Sequence, residues 1–233
     1  MKNYETEHYI FNYSEGSKAE QDIWDIATVQ EACFNYICKV LNVKPCFKIK
    51  YFLCETPEDV GRVYGDNEPC NGFSVAPDTI YAVYNENVKC IGFHEDAHII
   101  SYTINRPDYP AIREGLAMYF DRKWWGIQNL DWCGYFLETN QYISVEALLT
   151  KETFFSVDDF VSYPIMGAFT DYLIATYGNA TYIELYKQQN IMKAIKEIYK
   201  KSPKELDSEF VSYVRLFRID NEIKKRMSEL LSK

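Results

Sequence analysis

Three histidines occur in this 233-residue chain. Two of them stand four apart in Cys90-Ile91-Gly92-Phe93-His94-Glu95-Asp96-Ala97-His98-Ile99-Ile100-Ser101. On a helix, residues four apart lie one above the other on the same face, so His94 and His98 can aim both imidazoles at one point with Glu95 beside them. Two ring nitrogens and a neighbouring carboxylate suit a zinc ion with a coordination position left open. Zinc lowers the pKa of a bound water from about 15.7 toward about 7. Glu95, too far along the helix face to ligate, can take that water's proton and pass it to a leaving amine.

A catalytic zinc usually has three protein ligands and one water, so a third ligand is required. The metzincin pattern would need glycine at position 101 and histidine at position 104; the chain has Ser101 and Ile104. A carboxylate from a second helix is the remaining common solution. Arg113-Glu114-Gly115-Leu116-Ala117-Met118-Tyr119-Phe120-Asp121 supplies Glu114, with residues 99–113 between it and His98. Asp108 is the competing carboxylate, but it lies in the connecting loop rather than on a helix that would hold it rigidly. Asp121 falls on the same helical face as Glu114 and could orient a ligand imidazole.

His94-Glu95-Asp96-Ala97-His98 followed by Glu114-Gly115-Leu116-Ala117-Met118-Tyr119-Phe120 resembles the gluzincin zinc peptidases, and more narrowly the peptidase MA-like domains. In those proteins the glutamate of an EGLA-x-Y-like helix is the third ligand. Tyr163-Pro164-Ile165-Met166-Gly167-Ala168-Phe169-Thr170-Asp171-Tyr172-Leu173-Ile174, with Tyr177-Gly178 after it, is similar to a later helix of the family in which a tyrosine can face the zinc. Strand 79–84 matches the family's substrate-lining edge strand, which would offer backbone donors and acceptors to an extended peptide. The likeness covers about residues 47–215; the zinc motif is specific and the rest is pattern-level. The spacing to Glu114 is shorter than in thermolysin-type enzymes, which requires a tight crossover between the helices, and Arg113 stands where an aromatic residue is more usual. The resemblance implies peptide-bond hydrolysis by zinc-activated water, with Zn2+ held by His94, His98 and Glu114. It also implies Glu95 as general base and a peptide or protein substrate. The tetrahedral oxyanion needs a donor besides the metal. His8 is remote in sequence, so this role falls to a tyrosine: Tyr163 first, Tyr102 and Tyr119 as alternatives.

Several elements must position these residues. His8 to Tyr13, Phe47 to Leu53 and Thr79 to Tyr84 read as strands. Ile23, Ile26, Ala27, Ala32, Cys33, Tyr36, Ile37, Val40 and Leu41 repeat at helical period, which predicts a long amphipathic helix over 20–41. Thr56-Pro57-Glu58-Asp59 opens a short helix that Gly65 ends. The histidine helix is expected over about 88–103, and the Glu114 helix over about 111–123 after the breaker-rich Asn105 to Pro110. An irregular aromatic segment runs from Trp124 and Trp125 to about Tyr142. Further helices are expected at 144–149, within 158–177, from 179 to about 187 and over 192–200. Ser202-Pro203-Lys204-Glu205 is a capping box opening a C-terminal helix of roughly two dozen residues.

The totals set bounds. Hydrophobic residues make up 47% and charged residues 25%, the balance of a soluble globular protein. A net charge of −9 argues against nucleic-acid binding and permits a cationic substrate. Seven scattered cysteines without Cys-x-x-Cys spacing read as reduced thiols. The N-terminus does not read as a signal peptide and no apolar run is of membrane length, so a cytoplasmic location is the expectation for the chain as given. The expected architecture is a single α+β, zincin-like catalytic domain over 1–233. A small mixed sheet with helices forms a lobe at about 1–104, a mainly helical lobe follows at about 105–233, and the histidine helix lies at their junction with zinc in the cleft. The competing reading is a zinc-stabilised binding or scaffold protein that keeps the motif without turnover.

Overall fold

Alternating buried positions build the first sheet: Tyr9, Phe11 and Tyr13 on one strand, Ile49, Tyr51 and Leu53 on the next, all at most 6% exposed. A computed structural model describes residues 1–232 of this α+β protein. The chain divides into two compact units, Met1–Ile104 and Asn105–Lys233. The first unit runs β1 (Lys2–Glu5), β2 (Tyr9–Tyr13), α1 (Lys18–Gln21), α2 (Ile23–Leu41), β3 (Ile49–Cys54), α3 (Pro57–Tyr64), β4 (Gly72–Val75), β5 (Thr79–Val83) and α4 (His94–Ser101). Its five-stranded mixed sheet has the order β1-β2-β3-β5-β4. β2, β3 and β5 are parallel, while β1 and β4 run antiparallel to their neighbours at the two edges. Helix α2 buries Ile23, Ile26, Ala27, Gln30, Cys33, Phe34, Ile37 and Leu41. The stripe therefore passes through Phe34 rather than through Ala32 and Tyr36, and it contains one polar residue.

Two expectations in this unit are corrected. The histidine helix begins at His94 and not near Val88. Residues 85–90 fold back on β5 instead, with Asn85 N donating to Val88 O at 2.8 Å and Cys90 N donating to Val83 O at 2.8 Å. Those bonds commit the segment to a turn and leave its amides unable to enter a helical ladder. Strand β5 is also not an edge, because the short β4 pairs along it from Gly72↔Ala82 to Val75↔Thr79. Four residues set between Pro69-Cys70-Asn71 and Ala76-Pro77-Asp78 are too few for an alternating pattern to register.

The second unit begins with α5 (Pro110–Asp121), β6 (Lys123–Trp124), β7 (Ile127–Gln128) and α6 (Asn129–Glu138). It continues through α7 (Val145–Leu148), α8 (Lys151–Ser156), α9 (Asp159–Tyr177), α10 (Asn179–Tyr186), α11 (Ile191–Tyr199), α12 (Pro203–Val214) and α13 (Asn221–Leu231). The aromatic segment is thus ordered secondary structure. Trp125 and Gly126 both take positive φ, 52° and 77°, which makes the two-residue hairpin turn joining β6 to β7. Helix α6 then buries Asn129, Trp132, Cys133 and Phe136, a helical spacing masked by the surrounding rings. The expected long C-terminal helix is two helices. Asp220 accepts from Glu222 N at 2.7 Å and caps a new start, and Ile219 in the break packs against Gly134.

The centre of this unit is the crossing of α5 and α9, where two glycines let the helices approach. A Cβ at Gly115 would lie 2.8 Å from Thr170 Oγ1 and 2.9 Å from Met166 O. One at Gly167 would lie 2.6 Å from Met118 Cβ and from Asn129 Nδ2, the amide that donates to Met118 O at 2.9 Å. Replacing glycine by alanine inside a helix normally gains up to about 1 kcal/mol of propensity. Overpacking against a backbone oxygen costs about 1–3 kcal/mol. Gly115→Ala is therefore expected to lower unfolding free energy by about 1–2 kcal/mol in urea denaturation. A neutral or stabilising result would show that the crossing is looser than drawn.

Candidate metal centre

Helix α4 carries both histidines on one face, with ring centroids 5.1 Å apart and planes at 82°. His98 is 6% exposed, and Tyr102 at the helix end stacks on its ring at 5.9 Å and 27°. Of the three tyrosines considered from sequence, Tyr102 is thus in ring contact with a histidine of the motif. Tyr119 instead packs on Phe120 and under the Arg122 guanidinium, 4.2 Å from its centroid. Tyr163 stacks on Phe154 at 5.9 Å and tilts against Trp124 at 5.4 Å.

The orientation of α4 is set by a buried polar group that its pattern did not advertise. Asp96, between the two histidines, is fully buried. Gln30 Nε2 donates to Asp96 Oδ2 at 3.0 Å and to Gly92 O at 3.2 Å, while Gln30 Oε1 accepts from Gly92 N at 2.7 Å. Gly92 takes φ 129°, a conformation that L side chains resist. Tyr9 Oη lies within hydrogen-bonding distance of both Asp96 Oδ2 and Gln30 O. Burial pushes the Asp96 carboxyl well above the ordinary aspartate value, which favours the neutral acid. A neutral Asp96 suits the cluster, because its proton can go to Tyr9 Oη while the single tyrosine proton goes to Gln30 O. Gln30 and Tyr9 were not read as site residues from sequence. The available signal was Gln30 as the one amide on the apolar stripe of α2.

Glu114 is half-buried on the first half of α5, directly before the glycine that seats α9. One ligand atom from each of His94, His98 and Glu114 lies within 4.8 Å of the others. These three residues form a group that could hold a metal ion. Two imidazoles and one carboxylate are the donor chemistry of a catalytic zinc site. Asp108, the competing carboxylate, is exposed and outside this group. Asp121 is the last residue of α5.

Glu95 points toward the edge strand. A Cβ built on Gly72 in β4 would stand 3.5 Å from Glu95 Oε1, in ordinary van der Waals contact, so the strand passes beside the carboxylate. All seven cysteines are free thiols. Among the described residues, no helix is long and apolar enough to cross a membrane. No family model, curated protein or solved structure matches the chain.

Gln30→Leu removes the amide that ties α2 to Gly92 and Asp96 while keeping the side chain's bulk. It is expected to cost about 1–3 kcal/mol of unfolding free energy, because the Gly92 peptide and Asp96 lose partners in the interior. A urea denaturation curve unchanged from the parent would remove the network from the account of how α4 is held.

Proposed function

We propose that this chain is a zinc-dependent peptide hydrolase of the gluzincin kind, in which His94, His98 and Glu114 hold the metal and Glu95 is the general base. The observation that carries the reading is the convergence of these three donors within 4.8 Å, from a His-Glu-x-x-His string in a chain with only three histidines. The zincin-like architecture and the peptidase MA-like resemblance belong to the same proposal, and the antiparallel β4 beside the motif supports them. Zinc, when bound, supplies Lewis acidity toward water and toward a substrate carbonyl oxygen.

The protein's own groups do the rest. Glu95 takes a proton from the attacking water and returns it to the leaving amine. Among the described residues strand β4 pairs only with β5 in the sheet, so its outer edge can accept an extended peptide as an added strand. This moves the docking edge from β5, where the sequence had put it, to β4. Gly72 leaves room for that peptide next to Glu95. Tyr163 is proposed as the oxyanion donor. It lies one turn before Met166 on α9, on the face that meets α5 at Gly115 beside Glu114. Asp96 and Gln30 position the helix and take no part in proton transfer.

Purified protein is expected to contain about one equivalent of zinc by elemental analysis, as a site of three protein ligands requires. Glu95→Gln should keep that metal while turnover falls by at least about a hundredfold, the usual scale for a lost general base. Equal turnover in that variant would sink the mechanism. Intact zinc with no cleavage across a diverse peptide library would favour a zinc-stabilised binding protein instead. Tyr163→Phe should leave zinc content unchanged and lower kcat by about a hundredfold with little change in KM, as loss of an oxyanion donor does; an unchanged kcat would remove Tyr163 from the site.

A further inference from the structure

A second feature of the helical unit has a charge opposite to that of the chain as a whole. The protein carries a net charge of −9, yet a cavity of about 320 Å³ is lined by Arg106, Asp108, Pro110, Arg113, Lys151 and Phe155. Three cations face one carboxylate there, and they come from three separate places: the loop before α5, the first turns of α5 and the start of α8. Bringing like charges of separate segments together is unfavourable without an anion to offset them.

One of these cations is held in place. Arg113 Nη1 donates to Pro107 O at 2.6 Å, which anchors the guanidinium through one of its several N–H donors and leaves the others for a ligand. No carboxylate of the described residues is within salt-bridge distance of Arg113 or Lys151. A guanidinium fork held this way matches the two oxygens of a carboxylate. Phe155, 73% exposed at the rim, offers an apolar surface to the methylene stem that carries such a group. The volume sits at the small end for ligand pockets and suits one or two side chains.

We propose that this cavity binds a carboxylate of an acidic peptide, and so selects the substrate. The inference rests on the peptide-hydrolase reading for the kind of molecule, and on the cavity for its charge. It reverses the preference for cationic substrates that the net charge permits. Arg113 immediately precedes Glu114 on α5, so a carboxylate held here is bound at the helix that carries the proposed third metal ligand.

The test is binding of fluorescein-labelled peptides to the full chain, measured by anisotropy both zinc-loaded and after EDTA treatment. One peptide has internal glutamates and an amidated C-terminus; its control replaces each glutamate by glutamine. A third has no acidic side chain and a free C-terminal carboxylate. The glutamate peptide is expected to bind at least about tenfold more tightly than the glutamine control, to weaken as salt rises, and to lose that margin in Arg106→Gln/Lys151→Gln. Both of those residues are exposed, so the variant should melt like the parent. Preference for the free C-terminus would also support the cavity and assign the carboxylate to the chain end. Equal binding of glutamate and glutamine peptides, no binding of any peptide, or an unchanged margin in the folded double variant would overturn the proposal. Charge-selective binding without cleavage would keep the cavity and reject the hydrolase, and cleavage blind to charge would do the reverse.

Discussion

The placing of the histidine helix depends on one buried amide. Gln30 reaches from α2 to both sides of the Gly92 peptide and to the Asp96 carboxyl, and in doing so fixes where α4 starts and which way it faces. Phe93, the residue before the helix, has no side-chain cap bond of its own, so the local sequence offers little to define this end. A helix of eight residues is too short to be stable by propensity. Its orientation comes from packing on α2 and from this polar tie, in which Gln30 and Asp96 are buried where an unmet hydrogen bond is costly. The imidazoles inherit their aim from that network.

The second half of the donor set is placed by sterics rather than polarity. Glu114 stands beside Gly115, one of two points where α9 and α5 approach closely. Small residues at a crossing let two helix backbones approach, and the close approach fixes rotation as well as distance. Gly167 does the same from the other helix, making room for Asn129 to bond Met118 O. A carboxylate one residue from such a crossing has its Cα held on a well-determined path, which is what a metal ligand needs from its scaffold.

Edge chemistry links the sheet to the motif. The antiparallel β4 closes off β5 and takes the exposed edge itself, passing next to Glu95. Its glycine at the nearest point keeps backbone, not side chain, beside the carboxylate. The acidic net charge, the basic cavity of the helical unit and this edge are separate features.

The sequence by itself determined the donor types and much of the scaffold. His94, Glu95 and His98 at helical spacing, Glu114 on its own helix, the α2 stripe, the Thr56 cap before α3 and the Ser202 capping box are all local signals, written within a few residues of where they act. What tertiary structure decided is whatever depends on partners far apart in the chain. Gln30 looks like an interruption of a stripe until Gly92 and Asp96 arrive beside it, sixty-odd residues later. Strand β4 is four residues long and becomes a strand only because β5 pairs with it. Residues 85–90 could have extended a helix, but they bond back to β5 instead, and the C-terminal helix breaks where Ile219 finds Gly134. Local propensity is worth tenths of a kcal/mol per residue, whereas a buried hydrogen bond or a backbone clash is worth about 1–3 kcal/mol. Where the two compete, the long-range contact wins.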